Sequence, residues 1–180
     1  MNLRFAAAIT FVAAMVSAVE AYPCKTPREV SNLVMIRESD AIVRVSADDY
    51  AFAPKAPTSS TGIHQDSYSR IRFTVLEVIR GKATGELVLP GVLVDADDFN
   101  EFPPPYNEVR PNGRRGSCFA SSYRSGAQYL FMLKLKPHGR FTTDWYPLTP
   151  VNEQLHSSND PWLLWVRKEA KAHDTKPTSH

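Results

Sequence analysis

The stretch RIRFTVLEVIR, residues 70–80, restricts the possible folds more than any other part of the chain. Its first half alternates, with apolar Ile71, Phe73 and Val75 set between polar Arg70, Arg72 and Thr74; this period of two is that of a strand with one buried face. The phase then slips. Leu76 and Val78 are apolar, while Glu77 falls into register with the earlier core face, and a regular strand cannot absorb that, because a shift of one residue turns every later side chain to the other face. A bulge, or passage of the strand from one sheet face to another, resolves the conflict and is a device of small closed barrels. GKATG then supplies a turn, and ELVLPGVLV, residues 86–94, gives the next strand, bent or ended at Pro90 and Gly91; the two predict a hairpin.

Further strands are read at AIVRVSA (41–47), where β-branched residues dominate, at the apolar run AQYLFMLKLK (127–136), and at RFTTDWYPL after the turn Pro137-His138-Gly139. Helices flank them. Thr26-Pro27-Arg28-Glu29 is a capping box with proline at the first helical position, predicting a short helix over 27–38. Near the end Asp160 caps a second helix, Pro161 fills its first turn, and Trp162, Trp165, Val166 and Ala170 share one face. The segment AFAPKAPTSSTG reads as an exposed loop. Five contiguous strands and two short helices predict a mostly β fold, a small antiparallel barrel rather than a doubly wound parallel sheet.

With 180 residues, 43% of them hydrophobic, the chain suits one ordinary domain. Residues 1–21 read as a secretory signal peptide: Arg4 precedes an apolar run over 5–16, too short for the roughly 20 residues of a membrane span, and small residues follow. The domain then occupies 22–170, and 171–180 form a flexible tail. Cleavage removes Arg4 and Glu20 together, so the net charge stays at +2; no polyanion, and no nucleic acid, is expected as partner. Two cysteines, Cys24 and Cys118, lie beyond the cleavage site, where disulfides persist and an even pair allows one internal bridge.

The run RRGSCFASSYRSG resembles the nucleophile segment of papain-like cysteine proteases. Such an enzyme needs a histidine far downstream, roughly 130 to 150 residues on; only His138 and His156 offer themselves before the tail, so a structural Cys24–Cys118 disulfide is the expectation for Cys118. Asp95, Asp97 and Asp98 fail the calcium-loop spacing, with Asn100 where glycine is required and Tyr106 in place of the closing glutamate. The histidines lack zinc-ligand spacing. No metal and no cofactor is assigned. The region 95–126 shows no periodicity and is far longer than the usual connection of about 4 to 6 residues. It holds a Pro-Pro-Pro-Tyr run ending at Tyr106 and a basic cluster of Arg110, Arg114 and Arg115, read together as solvated loop residues and a candidate partner-binding surface.

Taken in order, Cys24, ESDAIVRV, IRFTVLEVIRGKATGELVL, Cys118 followed by SGAQYLFMLK, and WYPLTPVNEQL with DPWLLWVR resemble the netrin-like domain, the oligonucleotide/oligosaccharide-binding (OB) type of barrel shared by tissue inhibitors of metalloproteinases and by secreted bacterial proteins, the latter being the nearer likeness. The resemblance implies a five-stranded OB-like barrel with short N-terminal and C-terminal helices, in the periplasm or outside the cell. It implies a non-enzymatic binding module for a protein or cell-envelope component. The competing readings are a protease inhibitor of the metalloproteinase-inhibitor type and a secreted hydrolase using Cys118. Animal inhibitors start their mature chain at the cysteine whose amine chelates zinc, whereas Tyr22 and Pro23 stand ahead of Cys24 here.

Overall fold

The run AIVRVSA is apolar on one side, at Ala41, Val43, Val45 and Ala47, and sets Ile42 with polar Arg44 and Ser46 on the other. In the computed structural model, which describes residues 24, 30–53, 69–83 and 85–174, strand β1 (Ala41–Phe52) is central and pairs antiparallel with β2 (Arg70–Gly81) on one edge and β6 (Gln128–Lys136) on the other. Ala41, Val43, Val45 and Ala47 face one core with Ile71, Phe73, Leu87, Tyr123, Tyr129 and Phe131; Ile42 faces a second, with Leu130, Met132 and the helices. The remaining strands are β3 (Glu86–Pro90), β4 (Val92–Val94), β5 (Ser122–Arg124), β7 (Arg140–Thr142) and β8 (Asn152–Leu155), with helices α1 (Asn32–Glu38) and α2 (Pro161–Asp174). The large sheet runs β3-β2-β1-β6-β7, and β8 also pairs with β6.

The phase slip in β2 is a bulge. Val45 pairs with Val75 but Arg44 pairs with Glu77, leaving Leu76 as the extra residue. Glu77 therefore turns to the helical side, where it accepts hydrogen bonds from Arg44 Nε at 3.1 Å and from Arg167 of α2 at 3.0 and 2.5 Å. These two guanidiniums, Arg167 first, hold its carboxyl below the usual range against the opposing effect of burial. Leu76 and Val78 stay exposed. A slip that looks like a flaw in the pattern thus places one acid between the sheet and α2.

The mostly β, antiparallel character holds, but the sheet is not closed into a barrel, and the described residues contain eight strands rather than five. The reason lies at Pro90-Gly91. Proline cannot donate to a ladder, and a side chain at Gly91 would lie 2.6 Å from the Tyr123 ring, so the chain leaves the large sheet there. Val92–Val94 then pairs in parallel with Ser122–Arg124 as a separate two-stranded sheet. No ladder joins β3 to β7 among the described residues.

Of the helices, α2 matches its expectation. Asp160 Oδ1 accepts from Trp162 N at 2.8 Å and its Oδ2 from His156 N at 2.9 Å, and Trp162, Leu163, Val166 and Ala170 are fully buried. Trp165 is partly buried and stacks on Trp162. The first helix differs. It begins at Asn32, after Ser31 in extended conformation, whose hydroxyl accepts from Val34 N; a helix over 27–38 is interrupted there, and the capping box at 26–29 lies outside the described residues. So do residues 1–21, read above as a signal peptide, most of the loop after β1, and residues 175–180, whereas 171–174 of the expected tail are the last turn of α2.

Candidate functional site

The region 95–126 has no periodicity because it is organised around one buried side chain instead of a repeating apolar face. Arg110 is fully buried. Its Nε donates to the Asn152 carbonyl at 2.9 Å, Nη1 to Asp98 Oδ2 at 2.5 Å and to the Ser122 carbonyl at 2.8 Å, and Nη2 to the Ala120 carbonyl at 3.2 Å. The guanidinium carbon lies 5.2 and 5.3 Å from the ring centroids of Tyr123 and Tyr129. Only the planar fork of arginine can reach acceptors on β5, β8 and the loop from one point. Asp98 is shared: its carboxylate also accepts from Asn112 N, while Asn112 Oδ1 accepts from Ser121 N and Ser122 N.

A second buried acid completes the node. Glu153 on β8 is fully buried; its Oε1 accepts from Arg110 N at 3.0 Å and its Oε2 from Asn100 Nδ2 at 2.9 Å. Burial pushes its carboxyl up to about 7, with Asp98 adding to the rise and the Arg110 charge and the two donors opposing it. The folded value lies above the unfolded one, so the folded state binds the proton more tightly. The protein is then most stable below the unfolded value of 4.5 and loses that contribution as the pH rises through the folded value near 7. The loss amounts to about 3 kcal/mol. Glu153→Gln leaves Arg110 N or Asn100 Nδ2 facing an amide N–H, so it should cost about 1 to 3 kcal/mol near pH 5, and this deficit relative to wild type should shrink or reverse near pH 8, which urea denaturation at both pH values reads directly. Parallel stability curves for the two proteins would rule this out.

The structure separates the sequence-derived site residues. Tyr106 is buried, its ring 5.2 Å from that of Trp162 and its carbonyl accepting from Asn32 Nδ2 of α1, and burial pushes its hydroxyl up to about 12. Tyr106 and Arg110 are thus interior residues, not solvated ones: each has partners inside that water would have to replace. Arg115 remains at the surface, while Arg114 is half-buried with its Nε enclosed. Arg114 donates to Glu101 Oε2 at 2.6 Å with its guanidinium carbon 5.0 Å from the ring centroid of Phe102, which is itself 43% exposed. Arg115 is exposed.

Cys24 and Cys118 are joined, with their Cα atoms 5.8 Å apart, so Cys118 carries no thiol. Asp97 and Asp98 of the acidic run are also committed. Asp97 accepts from Arg124 at 2.8 and 3.1 Å and from Gln154 Nε2, and these bonds, Arg124 first, keep its carboxyl below the usual range. Sequence reasoning missed Asp98, Asn100, Asn152, Glu153 and Gln154 as partners of Arg110 and of one another. The available signal was the polar run Asn152-Glu153-Gln154 between Val151 and Leu155, which becomes a completely buried strand. Chemically the interior node has its acids and its guanidinium tied to one another and to the backbone, and it fixes the loop that presents Glu101, Phe102, Arg114 and Arg115 outward. Compared with known proteins, the chain matches no family model, no curated protein and no solved structure.

Proposed function

We propose that the chain is an exported, non-enzymatic binding module of netrin-like type, which contacts a protein or cell-envelope partner through the outer surface of the region 95–126. The observation that carries this reading is the pairing of an exposed aromatic ring, Phe102, with Arg114, near exposed Arg115, on a loop whose base is fixed by buried Arg110. A rigid loop presenting an aromatic and arginine side chains loses little entropy on binding, and these residue types supply most interface energy. Export is supported by the Cys24–Cys118 disulfide, and no described helix is long and apolar enough to cross a membrane. The OB-type reading draws support from the long, bulged central pair β1 and β2; in it, the sheet is a barrel left open between β3 and β7. The hydrolase reading loses its nucleophile to the disulfide.

The test compares wild type with a Phe102→Ser, Arg114→Ala, Arg115→Ala variant in crosslinking to envelope extracts. The variant should lose the captured species while its urea midpoint stays close to that of wild type, since each surface substitution changes stability by only about 0.5 kcal/mol. Capture of the same species at equal yield would move the contact surface elsewhere.

A further inference from the structure

The β6–β7 hairpin has a charge arrangement that the fold does not explain. Its register places Lys134 opposite Thr142, Leu135 opposite Phe141 and Lys136 opposite Arg140. Residues facing each other across an antiparallel pair share a side of the ribbon. One side of the tip therefore carries Lys136 and Arg140, and the other carries Leu135 and Phe141. Lys134 is neutralised: its Nζ donates to the Glu38 carbonyl at 2.6 Å and lies 3.4 Å from Asp40 Oδ2. Lys136 and Arg140 are in no ion pair among the described residues; Asp144 acts on Lys136 only at longer range and bonds to Thr143. Like charges set directly opposite each other destabilise a hairpin. The turn that joins them holds His138 and Gly139 in left-handed backbone angles, φ 71 and 74°. Leu135, beside these cations, is 49% exposed, and His138 is exposed at the apex.

We propose that this hairpin tip docks the protein on an anionic lipid bilayer, Lys136 and Arg140 meeting headgroup phosphates and Leu135 entering the interfacial layer. A hairpin that approaches tip first presents both of its sides at the boundary, and long cationic side chains can reach back to the phosphates while an apolar neighbour goes deeper. A soluble polyanion would engage the cationic side alone and leave Leu135 in water, which is why the bilayer is the favoured partner. The site is separate from the region 95–126 and does not depend on what that region binds.

The experiment is sedimentation of the full chain with vesicles of phosphatidylcholine alone or with about one third phosphatidylglycerol, the second carrying the negative surface. All proteins share identical ends, so the apolar segment 5–16 contributes equally to each. Wild type should partition to the anionic vesicles and be released as salt rises to about 0.5 M, and the share due to the hairpin is the difference between wild type and the hairpin variants. Lys136→Gln with Arg140→Gln should weaken binding about fivefold per charge, and Leu135→Ser about tenfold. Arg114→Ala with Arg115→Ala should bind vesicles like wild type. Equal partition to both vesicle types overturns the proposal, as does loss of binding in the Arg114, Arg115 variant. Charge-dependent binding that Leu135→Ser leaves intact, and that a sulfated dextran competes away, would replace the bilayer by a soluble polyanion.

Discussion

Replacing Arg110 by alanine should lower stability by about 4 kcal/mol, the range for breaking a buried charge pair from one side, and should open the segment 97–124 in hydrogen exchange. The argument rests on what is left behind. Asp98 would be left in a half-buried site with only Asn112 N as donor, the carbonyls of Asn152 and Ser122 would lose the guanidinium, and that of Ala120 would keep only Asn152 Nδ2. Unpaired buried acceptors each cost about 1 to 3 kcal/mol. Arg110→Lys should not rescue the loss, since a single ammonium cannot span acceptors on β5, β8 and the loop. Arg114→Ala and Arg115→Ala, only a few positions away, should change the urea midpoint little. An Arg110→Ala protein that unfolds at the wild-type urea concentration would sink this account.

That contrast marks where the sequence stopped being informative. Three arginines within a polar, aperiodic stretch look alike locally, and the groups that bury one of them lie 12 positions earlier, at Asp98, and 43 positions later, at Glu153. Short-range rules on charge clusters cannot see such partners. The bulge in β2 was legible because a phase slip is a local property and bulges leave it in the residue order. Helix α2 was legible because Asp160-Pro161 and the Trp162, Val166, Ala170 spacing are local too. Strands β5 and β8 were not: three and four residues are too few to establish a period, and β8 is buried throughout, so its polar residues give no alternation. Closure of the sheet depends on where distant edges come to lie, and Pro90-Gly91 could be read equally as a bend within one strand or as the end of it.

Reduction of the Cys24–Cys118 bridge, or replacement of both residues by serine, should give the other large loss. The bridge spans a sequence separation of 94, and confining a loop of that size in the unfolded chain corresponds to about 4 to 5 kcal/mol in the loop-entropy treatment, of which 2 to 4 is commonly realised. The melting temperature should fall by roughly 10 °C. Cys118 also terminates the helical turn Gly113–Ser117 in left-handed conformation, φ 65°, and its carbonyl accepts from Leu148 N at 2.7 Å; serine can keep both features. The folded contacts of Arg110 should therefore survive in the double-serine protein, and its segment 97–124 should stay protected from exchange at low temperature. Loss of Arg110 acts on the folded state and loss of the bridge chiefly on the unfolded chain, so the two stability changes should add within about 0.5 kcal/mol when combined. Two thiols that alkylate in folded, unreduced protein would show the bridge to be absent, and a strongly non-additive pair would show that the tether helps to seat Arg110.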